Sequence, residues 1–242
     1  MMENVATTER NGGAPVGRRV VLGMLGLGAA GVVFGAKISR GAQDVLSSLG
    51  SGGNSIAGLL PGGGYFQLYT VTSGFPVPPP NYHLVVDGLV ERPLSLSVAD
   101  LEAMPALELV RPFQCVTGWR VDSVHWTGVR LSDLLDRAGV APGGSALQFR
   151  SFDGVYTESL TLDQARLPDV VIAYRMLGAP VAREHGGPVR LYVPEMYGYK
   201  SIKWLSQISV VNRVIPGYWE DRGYDLNAWV GRSNGYSGPG IS

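Results

Sequence analysis

The amino-acid sequence predicts an α+β domain, in which a mixed β-sheet is combined with short helices. The 242-residue chain contains 34 Gly and 16 Pro, a composition that favours turns and hairpins over a helix bundle. Alternating apolar residues on both sides of Asp153–Gly154 predict a β-hairpin. Short capped helix signals lie between further strand-like segments, so the two element types are mixed along the chain.

The N-terminal residues 1–39 differ from the rest of the chain. Arg18 and Arg19 precede residues 20–36, an uncharged apolar run rich in Gly and Ala. This pattern is typical of a twin-arginine export signal, although Gly17 stands where Ser or Thr is usual. The run is also compatible with an uncleaved membrane anchor. In both cases we expect the bulk of the chain on the outer side of the cytoplasmic membrane, in the periplasm or cell envelope.

The folded domain is predicted over residues 65–242, after a Gly- and Ser-rich linker at residues 40–64. The first strand signal in the domain is the apolar, β-branched segment 82–90. Its Asp87–Gly88 pair predicts a hairpin turn.

Three short helices are predicted from capping and periodicity. The first has Ser97 as N-cap and ends before Pro105. The third begins with Thr161 and Gln164 at the spacing of a capping box. The second rests on four apolar residues at helical spacing: Leu131, Leu134, Leu135 and Ala138.

The remaining strands are predicted at residues 146–160, 169–178, 187–195 and 201–211. The first of these segments is the hairpin described above. Residues 212–242 are aromatic and Gly-rich, and we expect them to form an ordered wrap over the domain.

Cys115 is the only cysteine of the chain, so it has no disulfide partner within it. Arg111, Gly118 and Arg120 give it an electropositive, turn-forming setting, which favours a thiolate. It is either a buried space-filling thiol, a catalytic nucleophile, or a soft ligand for a single redox metal whose other ligands come from a cofactor. A nucleophile would need one of the three histidines as its base: His83, His125 or His185.

A second cluster of candidate residues lies in the Gly-rich segment 183–208. Arg190 and Lys203 supply a guanidinium and an ammonium group, and His185 and Lys200 stand near them in the sequence. Such groups suit a phosphate-bearing ligand, although a solvated basic edge is the alternative. The formal net charge of zero argues against a nucleic-acid partner.

Two segments together resemble the molybdopterin-binding domain shared by sulfite oxidases and periplasmic methionine sulfoxide reductase catalytic subunits. Residues 113–135 are similar to its Cys-x-x-x-Trp…Trp-x-Gly-x-x-Leu-x-x-Leu-Leu motif. Residues 185–204 are similar to its Gly-x-Pro-x-Arg…Tyr-Gly-x-Lys-x-x-Lys motif. The resemblance extends from Tyr82 to Val211 and implies a sulfite-oxidase-type fold and a molybdenum-dependent oxidoreductase.

The resemblance also implies roles for individual residues. Cys115 would be the thiolate ligand of molybdenum in a molybdenum–molybdopterin cofactor. Seven residues would contact the organic part of that cofactor: Thr70, Ser151, His185, Arg190, Ser201, Ile202 and Lys203. Near the substrate, Arg111 and Arg120 are candidates to attract an anionic or polar S=O or N=O group, and Tyr197 is a candidate hydrogen-bond donor.

The predicted function is oxygen-atom transfer by an exported enzyme of the sulfoxide reductase or sulfite dehydrogenase type. Sulfite oxidases carry a dimerisation domain after the molybdenum domain, and residues 212–242 are too short for one. We therefore expect a monomeric catalytic unit that acts on a small oxo substrate and exchanges electrons with a separate membrane or haem protein. Two alternatives are a cysteine-nucleophile enzyme and a non-catalytic cell-envelope binding module that keeps the fold without metal.

Overall fold

The computed structural model describes residues 66–233. Within this range the chain forms ten strands and three α-helices. The strands are β1 (Leu84–Gly88), β2 (Leu94–Leu96), β3 (Leu107–Gln114), β4 (Arg120–Arg130), β5 (Ala146–Ser151), β6 (Thr157–Thr161), β7 (Val171–Met176), β8 (Ala179–Pro180), β9 (Arg190–Tyr192) and β10 (Leu205–Val211). The helices are α1 (Val98–Glu102), α2 (Leu131–Ala138) and α3 (Leu162–Ala165).

The predicted export signal, membrane anchor and linker, at residues 1–39 and 40–64, lie outside the described residues. Among residues 66–233, no helix has the length and apolar character needed to cross a membrane.

The strands form two sheets. The first has the order β2-β1-β10-β5-β6, in which β1 and β10 are parallel and the other pairs are antiparallel. The second has the order β3-β4-β7-β8, and β9 also pairs with β7; all of its pairs are antiparallel. The mixed sheets with short helices confirm the predicted α+β class.

The predicted hairpin about Asp153–Gly154 is confirmed by the pairing of β5 with β6. Asp153 Oδ1 accepts hydrogen bonds from the backbone N–H groups of Val155 and Tyr156, and Gly154 has φ +78°. An aspartate that bonds the backbone ahead of it, followed by a glycine in the left-handed region, is the arrangement that closes a tight turn.

The hairpin turn predicted at Asp87–Gly88 is wrong, because β1 continues through both residues. They pair with Ser209 and Val210 of β10, and the Asp87 carboxylate accepts from the side chains of Gln207 and Ser209. At Gly88, a Cβ would lie 2.3 Å from the Val210 carbonyl oxygen. Glycine is therefore needed for close strand packing here, and the chain turns later, at residues 89–93.

All three predicted helices are present. Ser97 with Asp100, and Thr161 with Gln164, form complete capping boxes at the starts of α1 and α3. Helix α2 buries the four residues whose spacing predicted it: Leu131, Leu134, Leu135 and Ala138.

The core is divided between two apolar clusters on opposite faces of the second sheet. Ile172 and Tyr174 of β7 belong to the larger cluster, together with helix α2 and the inner face of the first sheet. Val171 and Ala173 belong to the smaller cluster. Because neighbouring strand residues point to opposite faces, β7 is buried on both sides. Beyond β10, residues 212–233 have no strand or α-helix, and Trp219, Tyr224 and Trp229 pack against the larger cluster.

Candidate functional site

A cavity of about 430 Å³ lies at the ends of strands from both sheets. Its walls are drawn from five stretches of chain: residues 66–71, 113–119, 153–156, 185–204 and 218–224. The stretches include the end of β3, the β5–β6 turn and the start of β9. The cavity therefore brings together segments that are up to 158 residues apart in the sequence (66 to 224).

Cys115 lies in the wall of this cavity, on the tight turn that joins β3 to β4. Its N–H donates to the Trp119 carbonyl oxygen (2.9 Å), and its carbonyl oxygen accepts from Gly118 N–H (3.1 Å). Gly118 has φ +100°, so the turn requires the conformational freedom of glycine. The thiol is half-buried, and Sγ lies 3.2 Å from Thr117 Oγ1. The turn thus fixes a thiol at the cavity rather than in the hydrocarbon core.

Three side chains, Arg190, Lys203 and His185, lie together in the same cavity and are called the basic corner below. Arg190 is its most deeply buried member. Its guanidinium donates to the carbonyl oxygens of His185 (2.6 Å) and Ser201 (2.9 Å). It also lies 5.4 Å from the ring centroids of both Phe113 and Trp126. Burial lowers the Arg190 pKa to about 10, so the side chain stays cationic at neutral pH.

Lys203 is the second cation of the basic corner. Its Nζ donates to the carbonyl oxygens of Tyr69 and Glu184 and lies 4.1 Å from the Trp204 ring centroid. Burial, with a smaller contribution from the Arg190 charge, lowers the Lys203 pKa to about 7. A Cβ at Gly186 would lie 2.6 Å from Lys203 Cβ. The glycine therefore makes room for the lysine stem.

His185 completes the corner as a neutral group. Its ring meets Phe66 edge-on, with 5.0 Å between centroids. Burial, followed by the nearby Arg190 charge, lowers the His185 pKa to about 4. The imidazole therefore contributes hydrogen bonding rather than positive charge at pH 7.

The polar groups of the cavity fit an anionic ligand that also carries N–H or O–H donors. Within residues 66–233, the hydrogen bonds donated by Arg190 and Lys203 go to main-chain carbonyls. In the same range, Trp119 Nε1 and Asp153 Oδ2 are buried at the cavity without a hydrogen-bond partner. Buried polar atoms without partners are rare in folded proteins. A pterin with a phosphate group would supply partners for the cations, the indole donor and the carboxylate acceptor.

The structure brings most of the predicted cofactor residues together. Seven of them line the cavity: Thr70, Cys115, His185, Arg190, Ser201, Ile202 and Lys203. Ser151 does not line it, because its buried Oγ accepts from Asp153 N–H inside the turn. Asp153, which the sequence identified only as a turn residue, instead presents its free carboxylate oxygen there.

The three residues predicted near the substrate do not line the cavity. Arg111 is held by Asp169 (2.6 Å) and Arg120 by Asp122 (2.6 Å), in exposed ion pairs. The Tyr197 hydroxyl donates to the Ser233 carbonyl oxygen (3.0 Å). In this arrangement their polar groups are engaged elsewhere.

One wall of the cavity was missed by the sequence analysis. It consists of five aromatic side chains: Tyr156, Tyr199, Tyr218, Trp219 and Tyr224. The sequence shows that residues 218–224 are aromatic, but it does not show that they line a cavity. Only the packing of this segment in the folded domain reveals that.

A comparison of the chain with known protein families agrees with the geometry of this cavity. The family described as oxidoreductase molybdopterin binding domain matches residues 73–219 of the chain. The chain belongs to this family. The predictions of the fold, of the molybdenum–molybdopterin cofactor and of a molybdopterin-dependent oxidoreductase are thereby confirmed.

Similar proteins include three curated relatives. The oxidoreductase YuiH of Bacillus subtilis is 38% identical over 146 residues, which cover 60% of this chain and 73% of YuiH. Sulfite oxidase of Arabidopsis thaliana is 29% identical over 180 residues (60% of this chain, 46% of that protein). The protein-methionine-sulfoxide reductase catalytic subunit MsrP of Xanthomonas campestris is 33% identical over 153 residues (56% and 47%). The part of this chain that matches thus covers about half the length of the last two proteins.

A solved structure also resembles the chain. The sulfane dehydrogenase SoxCD of Paracoccus pantotrophus matches with a TM-score of 0.52 and 27% identity, covering 55% of this chain and 39% of the other.

Proposed function

We propose that this molybdopterin oxidoreductase is an exported enzyme that transfers an oxygen atom to or from a small S=O or N=O compound. The observation that carries the proposal is a thiol fixed in the same cavity as two cations that have no carboxylate hydrogen-bond partner within residues 66–233. Relatives named sulfite oxidase and methionine-sulfoxide reductase support this reaction class. When bound, the molybdenum–molybdopterin group would supply the two-electron oxygen-atom chemistry.

The chain's own residues would hold and orient this group. The Cys115 thiolate would be the protein ligand of the metal, as a soft donor suited to a redox metal. Arg190 and Lys203 would bind the phosphate end through charge-assisted hydrogen bonds. Asp153 Oδ2 would accept from the pterin N–H groups, and Trp119 Nε1 would donate.

The apolar walls of the cavity would exclude water from the reacting atoms. Phe66, Phe113 and Trp119 form a cluster with ring centroids 5.5–6.0 Å apart beside the thiol. Low local polarity strengthens the electrostatic interactions of the cofactor with its cations.

Export and a separate electron partner are part of the proposal. Export is supported by Arg18, Arg19 and the apolar run that follows them. A pterin cofactor is inserted into a folded chain, and the twin-arginine route carries folded proteins. Reduction of a sulfoxide consumes two electrons and two protons and yields a thioether and water. The name of MsrP, a catalytic subunit, is consistent with electrons arriving from another protein.

The test is the molybdenum and pterin content of the purified protein, compared with Cys115→Ser and Thr117→Val. We expect about one molybdenum per chain in the wild type, its loss in Cys115→Ser, and its retention in Thr117→Val, which leaves the thiol intact. Reduction of methyl phenyl sulfoxide by reduced viologen, and oxidation of sulfite by ferricyanide, would give the direction of turnover.

Wild-type protein without molybdenum and without pterin fluorescence after denaturation would overturn the proposal. If thiol alkylation abolished an activity of that metal-free protein, Cys115 would be a nucleophile instead. If no activity were found, the chain would be a binding module.

A further inference from the structure

A buried ionic triad lies next to the cavity and has no part in the function described so far. Lys200 Nζ lies 2.5 Å from Glu158 Oε1 and 2.7 Å from Glu220 Oε1. The side chains of Lys200 and Glu158 are fully buried, and that of Glu220 is 2% exposed. Removing three ionisable groups from water is costly, and such clusters are poor devices for stability alone.

Each of the three residues lies in, or within two residues of, a different segment that lines the cavity. Glu158 lies two residues after Tyr156, and Glu220 directly follows Trp219. Lys200 is flanked by two lining residues, Tyr199 and Ser201. The triad side chains are not themselves part of the lining. They therefore connect the wall segments to one another from outside the cavity.

The segment that carries Glu220 is packed tightly on β6. Tyr218 N–H donates to the Thr157 carbonyl oxygen (3.0 Å). A Cβ at Gly217 would lie 2.5 Å from that same oxygen and 2.8 Å from Glu220 Oε2. This contact requires glycine and leaves little freedom for the position of the carboxylate.

The aromatic rings that line the cavity contact one another between the same three segments that the triad joins. Tyr218 stacks on Tyr156 with 5.7 Å between ring centroids, and Tyr224 meets Tyr199 at 5.4 Å. Trp219 lies 5.0 Å from Tyr224. The lining residues of 218–224 are all aromatic, whereas the groups suited to the anionic cofactor come from other segments. Residues 218–224 therefore supply none of the contacts that were assigned above to the cofactor.

Burial and the neighbouring charges act against each other on the Glu158 carboxyl of the triad. Burial raises the Glu158 pKa well above its usual range, and the neighbouring Glu220 charge acts in the same direction, although the Lys200 charge opposes both. The other titratable groups that face it are Tyr156 and Tyr199.

We propose that Lys200, bound by Glu158 and Glu220, is a positioning residue that fixes the aromatic wall of Tyr218, Trp219 and Tyr224 and so determines how the substrate fits the cavity. The inference rests on the proposed function for its substrate, but the wall and the triad belong to the chain itself. Lys200 acts through the wall and does not touch the reacting atoms.

The decisive variant is the double substitution Lys200→Met with Glu220→Gln. It removes the ammonium and one carboxyl group together, and burial, which raises the Glu158 pKa, favours the uncharged form of the acid that remains. The single variant Lys200→Met leaves buried carboxyl groups without their cation and is expected to fold poorly. Glu158→Gln keeps a side-chain oxygen that can accept from Lys200 and leaves Glu220 as its partner, so its effect should be smaller than that of the double variant. Arg166→Met, which breaks an exposed ion pair with Asp136, is the matched control.

Two measurements are made on each variant. The first is hydrogen exchange of the peptide 217–224, which should be roughly tenfold faster in the double variant than in the wild type and in Arg166→Met. The second is steady-state reduction of methyl phenyl sulfoxide by reduced viologen, using the loaded protein. We expect KM to rise roughly tenfold or more in the double variant, with molybdenum content unchanged and a smaller effect on kcat.

A double variant with wild-type exchange in 217–224 and wild-type KM would overturn the proposal. Faster exchange with an unchanged KM would also overturn it, because the triad would then be structural only. If the wild type carries no molybdenum, the proposed function fails and so does the assignment of the wall to substrate. The exchange measurement would still decide whether the triad holds the wall.

Discussion

Replacing Arg190 by lysine tests whether the guanidinium holds the cavity together. Arg190 is 3% exposed and connects the loop at His185 to the loop at Ser201 through its two shorter hydrogen bonds, of 2.6 and 2.9 Å. Its guanidinium carbon also lies 5.4 Å from the ring centroids of both Phe113 and Trp126. A lysine keeps the charge but lacks the planar fork that bonds two carbonyls at once.

The expected loss of stability follows from this count of bonds. If the ammonium of Arg190→Lys retains one of the two shorter bonds, one charge-assisted hydrogen bond is lost, which costs about 1.5–3 kcal/mol of unfolding free energy. In a domain of this size each kcal/mol lowers the melting temperature by roughly 2–4 °C. We therefore expect a decrease of roughly 3–12 °C.

The assay is thermal unfolding of the cofactor-free protein, followed by circular dichroism. Arg175→Lys is the matched control, because Arg175 bonds a single carbonyl, that of Gly178, near the surface. Its melting temperature should change by less than about 2 °C. If Arg190→Lys melts within the range of this control, the guanidinium does not connect the two loops, and the account of the basic corner given above is wrong.

Three further predictions concern the cavity and the core. Sulfate binding to the cofactor-free protein should weaken, by at most about tenfold per pH unit, as pH rises above the Lys203 pKa of about 7. Between pH 7 and the ordinary lysine pKa of 10.5, the unfolded chain binds more protons at Lys203 than the folded chain does. The contribution of Lys203 to the free energy of unfolding should therefore increase as pH rises through this range. Lys203→Met should abolish both the sulfate dependence and the stability dependence on pH. Asp153→Asn should keep the β5–β6 turn but lower the pterin content measured by fluorescence, whereas the exposed Asp163→Asn should not; equal pterin in both would exclude Asp153 as a contact. Phe149→Ala, at a fully buried position, should cost about 3–5 kcal/mol in denaturant unfolding, against less than about 1 kcal/mol for the exposed Val155→Ala.

The sequence predicted those parts of the fold that depend on neighbouring residues. The capping boxes at Ser97 and Thr161 and the turn at Asp153–Gly154 are made from side chains and backbone within a few positions of one another. The Asp87–Gly88 turn failed because the same dipeptide also fits a strand whose glycine lies against another strand. That contact involves Val210, more than a hundred residues away.

The candidate site was predicted in part for the same reason. The motifs around Cys115 and Arg190 are local, and the structure places most of their residues in one cavity. Arg111 and Arg120 were predicted to lie near the substrate, but in the folded chain they form ion pairs with Asp169 and Asp122 instead. Ser151 and Asp153 are two residues apart, and only the shape of the turn decides which of them faces the cavity.

The sequence by itself therefore determined the family and those strands and helices that have local signals. It also determined which residues supply the thiol and the two main cations of the cavity. The tertiary structure alone decided the aromatic wall, the free oxygen of Asp153 and the association of Lys200 with Glu158 and Glu220. Secondary structure depends on interactions within a few residues, whereas burial, charge pairing and cavity lining depend on which distant segments pack together. The triad illustrates this, since its members are separated by 42 and 20 residues and become partners only in the folded domain.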